Sequence, residues 1–249
     1  MSRPPEYRRS HKRPLKQPDS EILLDKKKPT FSNIGNDHFL LGIQVNALNS
    51  TIQSRGRGRP REFDMEAALD GALLTFRERG FHAASIADLG TAMKLTAGSL
   101  YKAFSDKRAI FLAAFDRYTG LRHTRLQQLL EAEVTGCDKI RAVLAFYAES
   151  SHGVEGRRGC LVAGSATELA TYDSEMAARV TTALRRVETL LRNLIQLGQS
   201  DGSIPAGIDA DASARALLCL LQGFRVIGKI GRTRAEMMAA VNQAMRLLV

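Results

Sequence analysis

Apolar side chains recur at helical spacing along most of the chain from residue 62 onward. The first such stretch, at about 64–79, carries an apolar stripe on one face and is followed by Gly80, a residue typical of helix ends. The same period predicts further helices at about 85–93, 96–103, 106–131, 138–152, 160–172, 174–200, 209–229 and 233–248. No alternating strand pattern interrupts them, so the sequence predicts an all-α fold.

Two of the predicted helices, at 85–93 and 96–103, are short and only a few residues apart, which is typical of a helix-turn-helix. Ser85 stands where the first of them should begin, three residues before Asp88, so the two side chains match a capping box. Thr96 stands at the start of the second helix. A helix-turn-helix places one short helix against the major groove of DNA.

The predicted helices at 209–229 and 233–248 are the most apolar of the chain. A helix that is apolar nearly all round must be buried. Because these helices close a domain of modest size, we expect both to pack against a second copy and form a homodimer.

Positive charge is concentrated at the start of the chain. The net charge is +10, and residues 1–61 hold 13 Lys and Arg against 5 Asp and Glu, a local balance of 13 − 5 = +8. Residues 1–54 also hold five prolines and no lasting period, which predicts a disordered basic extension. Such a tail attracts phosphate without reading sequence, so a nonspecific DNA-binding protein driven by this tail is one alternative.

Composition and motifs argue against several other classes. No apolar run has the length of a membrane span, and no secretory signal precedes the first helix, so we expect no membrane association. The three cysteines form no CxxC pair, and the histidines form no metal-ligand pair, which predicts a reducing cytoplasm, no metal and no cofactor. Residues 137–249 contain no catalytic signature, so we predict that the chain is not an enzyme.

The stretch from Gly56 to Phe115 resembles the N-terminal domain of the tetracycline-repressor (TetR) family. The residues that carry the resemblance are Phe76, Gly80, Ile86, Ala87, Leu95, Gly98, Leu100, Tyr101, Phe104, Lys107 and Phe111. The resemblance implies a helix-turn-helix DNA-binding domain at 55–108, a helical ligand-binding and dimerisation domain at 109–249, and a homodimer. It also implies a repressor that an unidentified small molecule releases from double-stranded operator DNA. Because the long helix at 106–131 connects the two domains, we predict that the ligand releases the DNA by tilting this helix.

The second short helix is expected to enter the major groove, where its early side chains face base edges. Thr96 and Ser99 can bond to base edges, and the Thr96 and Ala97 methyl groups suit a thymine methyl. Further contacts are expected from Lys102 and, at phosphate, from Ser85, Tyr101 and Lys107. Lys94 stands in the turn where the family usually has glycine, so either the turn has a different backbone here or Lys94 is tolerated because it also contacts phosphate. Ser85 and Thr96 have an alternative role as helix caps only, and Lys107 as a solvated charge.

An arginine arm stands directly before the first helix. The run Arg55-Gly56-Arg57-Gly58-Arg59-Pro60-Arg61 has no regular structure and four permanent charges. We predict that Arg57 and Arg59, with Arg61 beside them, insert into the minor groove next to the operator.

The ligand site is harder to predict, since any apolar residue of this domain is more often ordinary core. The candidates are Phe146, Tyr147, Glu149, Cys160, Leu161, Glu168, Tyr172, Leu194 and Leu197. Cys160 lies at a helix start beside Arg157 and Arg158, in a phrase similar to one group of TetR-type regulators. A second alternative is therefore a thiol-based redox or electrophile sensor that uses Cys160. The competing interpretation is that Cys160 is a small apolar core residue at the start of a helix. Cys137 and Cys219 are expected to be structural.

Overall fold

The computed structural model describes residues 64–248, which form ten α-helices and two short 3₁₀ turns, at Gly228–Ile230 and Arg246–Leu248. The helices are α1 (Met65–Ala83), α2 (Ile86–Met93), α3 (Ala97–Ala103), α4 (Lys107–Glu131), α5 (Gly136–Glu149), α6 (Gly153–Arg158), α7 (Leu161–Glu168), α8 (Ser174–Asp201), α9 (Ala210–Ile227) and α10 (Arg234–Met245). The all-α prediction is confirmed. The predicted basic extension at 1–54 and the arm residues Arg57, Arg59 and Arg61 lie outside the described residues. Within them, every helix is too short or too polar to cross a membrane.

Helix α1 changes direction at Gly80, where the sequence predicts a helix end. Gly80 has φ 79° and ψ 175°, a conformation that side chains with a Cβ rarely adopt. An added Cβ would also lie 2.9 Å from the Glu168 carboxylate. Residues 81–83 therefore form a separate final turn, whose free N–H groups face α7.

The apolar residues form two clusters. One joins α1, α2, α3 and the first half of α4, here called the head, to Leu161, Leu169, Met176 and Val180 of the α7–α8 region. The other joins the second half of α4 to α5, α8, α9 and α10. The core of the head thus continues into α7 and α8, so the head and the rest of the described chain share buried surface.

The region after α5 differs from the prediction of one helix at 138–152. Helix α5 ends at Glu149, because the Ser150 and Ser151 hydroxyls donate to carbonyls of the preceding turn, at 2.9 Å and 2.6 Å, and compete with the helix. The short helix α6 then packs closely on this segment. A Cβ at Gly156 would lie 2.7 Å from the Ser151 carbonyl carbon, so this close contact requires glycine at position 156.

Candidate DNA interface and ligand cavity

The turn between α2 and α3 is compact and well bonded. Lys94 adopts the left-handed conformation, with φ 55° and ψ 40°, and the Leu95 N–H donates to the Gly90 carbonyl at 2.9 Å. Leu89 and Leu100 are buried and fix the two helices against each other. These contacts give the helix-turn-helix one defined geometry.

One face of α3 is open to solvent. Thr96, Ala97, Tyr101 and Lys102 are exposed, and Ser99 is half-buried. These are the side chains that the sequence predicts at base edges and phosphates, and the structure places them together on one surface. Their contact with DNA stays a prediction.

Ser85 and Thr96 both cap helices. The Ser85 hydroxyl accepts from the Asp88 N–H at 3.1 Å, and the Asp88 carboxylate accepts from the Ser85 N–H at 3.0 Å. The hydrogen bonds from Ser85 hold the pKa of the Asp88 carboxyl below its usual range. The Thr96 hydroxyl accepts from the Ser99 N–H at 3.2 Å. Capping therefore explains both residues within the chain, while both side chains remain exposed.

Lys107 is engaged inside the head. Its ammonium donates to the carbonyls of Phe81, His82 and Ala84 at 2.9, 3.4 and 3.1 Å, and lies 4.5 Å from the centre of the Phe81 ring. An ammonium has three N–H donors, and all three are directed at these carbonyls. A phosphate contact by Lys107 would thus require it to release one of them. The sequence did not predict that Lys107 binds the carbonyl groups at the end of α1.

Replacing Lys94 with glycine is expected to raise the free energy of unfolding by about 1 kcal/mol, because glycine adopts the left-handed conformation without strain. Lys94→Ala removes the same charge but keeps the strain, and is expected to bring no such gain. If Lys94 contacts phosphate, both variants reduce the slope of log operator affinity against log salt concentration by about 1, because one phosphate contact is lost. Urea unfolding and titrations at several salt concentrations measure these quantities. Equal stability of the glycine and alanine variants would contradict the assignment of backbone strain.

Several polar contacts hold the head against α6, α7 and α8. Arg77 of α1 is buried, and its guanidinium donates to the Gly159 carbonyl at 2.9 Å and to the Glu155 carboxylate at 3.0 Å. The Glu168 carboxylate, at the end of α7, accepts from the Phe81 and His82 N–H groups at 3.1 and 2.8 Å. Further contacts are the ion pairs Glu78–Arg158, Asp116–Arg179, and Arg108 with Asp173 and Glu175. The hydrogen bond from Arg108 holds the pKa of the Asp173 carboxyl well below its usual range.

A cavity of about 80 Å³ lies behind the head, between α4, α5, α7, α8 and α9. Its wall consists of Thr119, Arg122, His123, Leu126, Gln127, Phe146, Tyr147, Cys160, Val162, Ala183, Leu184, Arg186, Val187, Leu190 and Gln222. Most of this surface is apolar, and a few polar groups converge on it, as is typical of a small-molecule site.

Three of the predicted pocket residues, Phe146, Tyr147 and Cys160, line this cavity. The others lie elsewhere. Leu161 and Leu194 are buried in the two apolar clusters, Leu197 and Tyr172 are exposed, and Glu149 pairs with His152 and Arg234. Glu168 binds the head, because the last turn of α7 points away from the cavity.

Cys160 is half-buried at the cavity wall, and the Tyr118 hydroxyl lies 3.5 Å from its sulfur. Burial raises the pKa of its thiol. The positive charges of Arg225 and Arg122 and the hydrogen bond from Tyr118 outweigh this effect and bring the pKa down to about 7. The expected cations were Arg157 and Arg158, its neighbours in sequence. The cations that act on the thiol come instead from α4 and α9. Cys219, expected to be structural, is exposed on α9.

Two buried arginines were not predicted as site residues. Arg122 and Arg225 are 9% and 2% exposed and lie on the otherwise apolar buried faces of α4 and α9. A charged residue inside an apolar stripe is the signal that would have singled them out, because such residues are rarely buried without a partner.

A helix-turn-helix whose reading face is exposed, attached to a helical body that contains a cavity, defines a DNA-binding regulator. Two family models match the chain: "Bacterial regulatory proteins, tetR family" over residues 68–114, and "Tetracyclin repressor-like, C-terminal domain" over residues 136–244. The chain belongs to the TetR family of transcriptional regulators.

Relatives and solved structures agree with this family. The chain is 28% identical over 194 residues to the HTH-type transcriptional repressor ComR of Escherichia coli, a match that covers 78% of this chain and 92% of ComR. It is 32% identical over 110 residues to the repressor BdcR of the same organism, covering 44% of this chain and 56% of BdcR. A cysteine-substituted form of the TetR family regulator CifR, solved with a 26-bp operator DNA, has a TM-score of 0.69 and 28% identity, and the match covers 77% of this chain and all of that one.

Proposed function

We propose that this protein is a dimeric, sequence-specific transcriptional repressor, and not an enzyme, that leaves its operator when a small molecule occupies the cavity. One observation carries the proposal: the two helices that bear most directly on the head also form walls of the cavity. Helix α4 starts in the head at Lys107 and lines the cavity from Thr119 to Gln127. Helix α7 starts at the cavity beside Cys160 and ends at Glu168 on the head.

This arrangement supports release by a change of geometry. Two heads must stand about 34–36 Å apart to enter successive major grooves on one side of DNA. A ligand that needs more space than the cavity offers displaces α4 or α7, and each displacement is passed to the head through Lys107 or Glu168. The ligand shifts the equilibrium by the difference between its affinities for the two arrangements.

The dimer is proposed to form through α9 and α10. Ala216, Cys219, Gly223 and Val226 lie on one accessible side of α9, and Val226 is 60% exposed. Small residues in this spacing let a second helix approach closely. The apolar side chains beside them are buried only when a second copy covers this face.

Replacing Gly223 with arginine is expected to give a monomer that no longer binds operator, because a long charged side chain then stands in the interface. The monomer itself is expected to fold, since a Cβ at Gly223 meets nothing within 4 Å and arginine favours a helix more than glycine does. Gly120→Arg is the matched control, because Gly120 is an exposed glycine that also lies inside a helix, and its Cβ position is equally open. Light scattering after size exclusion measures the mass. A dimer of the Gly223 variant would contradict the interface.

The repressor function is tested in the cell of origin by measuring transcripts of the genes next to this one. Deleting the gene is expected to raise these transcripts, and the wild-type protein to lower them again. The Ala97→Glu variant is expected not to lower them, for the reason given in the Discussion. Transcripts that fall on deletion would indicate an activator and overturn the proposed direction of control.

A thiol sensor is the second candidate, because the pKa of Cys160 is lowered to about 7 and its sulfur faces the cavity. At neutral pH about half of such a thiol is thiolate, the form that attacks electrophiles. The Cys160→Ser variant separates the two candidates. It is expected to keep its response if a reversible ligand is the signal, and to lose its response if covalent modification is.

A further inference from the structure

Two buried arginines have no carboxylate partner among the described residues. Of the three buried arginines among the described residues, Arg77 pairs with the carboxylate of Glu155. Neither Arg122 nor Arg225 has a carboxylate partner within residues 64–248. The cavity wall contains Arg122, Arg186 and His123 and neither aspartate nor glutamate. Burying an unpaired charge is costly, so this excess positive charge needs an explanation.

Arg225 has a structural explanation. Its guanidinium donates to the Ser150 carbonyl, to the Ser151 hydroxyl at 3.1 Å and to the Gly159 carbonyl at 3.0 Å. These bonds fasten α9 to the ends of α5 and α6. Arg225 therefore supplies a fixed positive field at the cavity wall, and few of its donors remain free.

Arg122 is held differently. The carbon centre of its guanidinium lies 5.6, 4.5 and 5.0 Å from the ring centres of Tyr118, Phe146 and Tyr147. Its one hydrogen bond within the described chain goes to the Ser150 hydroxyl at a long 3.5 Å. The aromatic rings thus hold the guanidinium in place at the cavity wall, while most of its five N–H donors have no protein acceptor.

From this geometry we propose that the effector of the cavity is a small organic carboxylate, bound to Arg122 through its carboxylate and to the apolar wall through its body. The proposal rests on the proposed function and names the chemical class of its ligand. A guanidinium with free, coplanar donors matches the two oxygens of a carboxylate. Leu126, Val162, Leu184 and Val187 provide the apolar surface for the body of such a molecule. The cavity volume of about 80 Å³ restricts it to a small ligand, or to one that pushes the walls apart.

A bound carboxylate is expected to raise the pKa of the Cys160 thiol. The thiolate of Cys160 is the one anionic group that the lining residues can supply, and it is stabilised by the same arginines. A second anion in the cavity competes for this field, so it shifts Cys160 toward the thiol form. Taking Cys160 from a pKa of about 7 to the ordinary value of about 8.5 lowers its alkylation rate at pH 7 by about three-fold, after allowing for the greater nucleophilicity of the more basic thiolate.

The test measures alkylation of Cys160 by iodoacetamide at pH 7, followed by peptide mass spectrometry so that Cys137 serves as an internal reference. The probes are monocarboxylates from acetate through butyrate to benzoate, each compared with its neutral amide at the same concentration. At least one carboxylate is expected to slow alkylation of Cys160 by about three-fold or more, while its amide does not. The rate at Cys137 is expected to stay unchanged.

Two variants assign the effect. Arg122→Met is expected to abolish the protection, whereas Arg185→Met, which removes an exposed arginine of α8 outside the cavity wall, is expected to keep it. If Arg122→Met does not fold, the comparison of acid and amide on the wild-type protein still decides. Equal protection by a carboxylate and its amide, or protection by no member of the series, would overturn the proposal. Operator titrations with the same samples report the repressor function separately, since neither alkylation nor its protection involves DNA.

Discussion

Replacing Ala97 with glutamate is expected to abolish operator binding while leaving the fold intact. Ala97 is the first residue of α3 and is exposed. A negative charge at this position favours the helix, because it stands at the positive end of the helix dipole. The same charge is directed at the major groove and its phosphates, where like charges cost several kcal/mol. We expect a loss of operator affinity of about a hundred-fold or more, or about 2.7 kcal/mol.

The control for this prediction is Ala132→Glu. Ala132 is also exposed, but it follows the far end of α4, which over 25 residues at 1.5 Å each extends about 37 Å from its start at Lys107. It introduces the same charge and is expected to change operator affinity only slightly. Anisotropy titrations measure affinity, and urea unfolding confirms that both variants are folded. Operator binding by the Ala97 variant at wild-type strength would show that α3 does not enter the groove.

Replacing Arg77 with methionine is expected to lower the free energy of unfolding by about 3 kcal/mol. The variant leaves the half-buried Glu155 with Arg158 as its cationic partner and removes two bonds to the Gly159 carbonyl. In a domain of this size, such a loss lowers Tm by about 6–12 °C. Arg232→Met, which removes an exposed i, i+4 pair with Glu236, is the control and is expected to cost about 0.5 kcal/mol or less.

The destabilisation by Arg77→Met is expected to shrink at acid pH. Burial raises the pKa of the Glu155 carboxyl, but the opposite effect of Arg77 and Arg158 is larger, so this pKa lies below its ordinary value. A depressed carboxyl pKa contributes stability above the unfolded pKa of about 4.3, and this stability is lost as the pH falls through the folded value. A wild-type-to-variant difference that stays constant down to pH 3 would contradict a charge-based role for Arg77.

Contacts that depend on local sequence could be predicted well. Gly80 ends the regular part of α1, Ser85 and Asp88 form the capping box, and Lys94 adopts the left-handed turn that glycine usually provides in the family. Each of these features is determined by a few consecutive residues. The helix-turn-helix, which is built from them, could therefore be located from the sequence.

Contacts between distant segments could not be predicted. Arg225 bonds to Gly159, 66 residues away, and Arg77 bonds to the same carbonyl from 82 residues away. The cations near Cys160 come from helices that meet only in the folded chain, so the sequence pointed to its neighbours instead. Glu168 was predicted in the cavity for the same reason: the periodicity of α7 shows which residues share a face, but not which end of the helix approaches the head.

The central claim is that this protein binds a particular DNA sequence through α3. The most direct measurement is a fluorescence-anisotropy titration of the protein against a DNA fragment that it selects from its own fragmented genome, beside a scrambled fragment of equal length and composition, at near-physiological salt. The account predicts binding to the selected fragment that is tighter by about 10³-fold or more, at a site with two-fold symmetry. Equal affinity for both fragments, or the absence of any selected fragment, would contradict it and indicate a protein that binds DNA by charge alone.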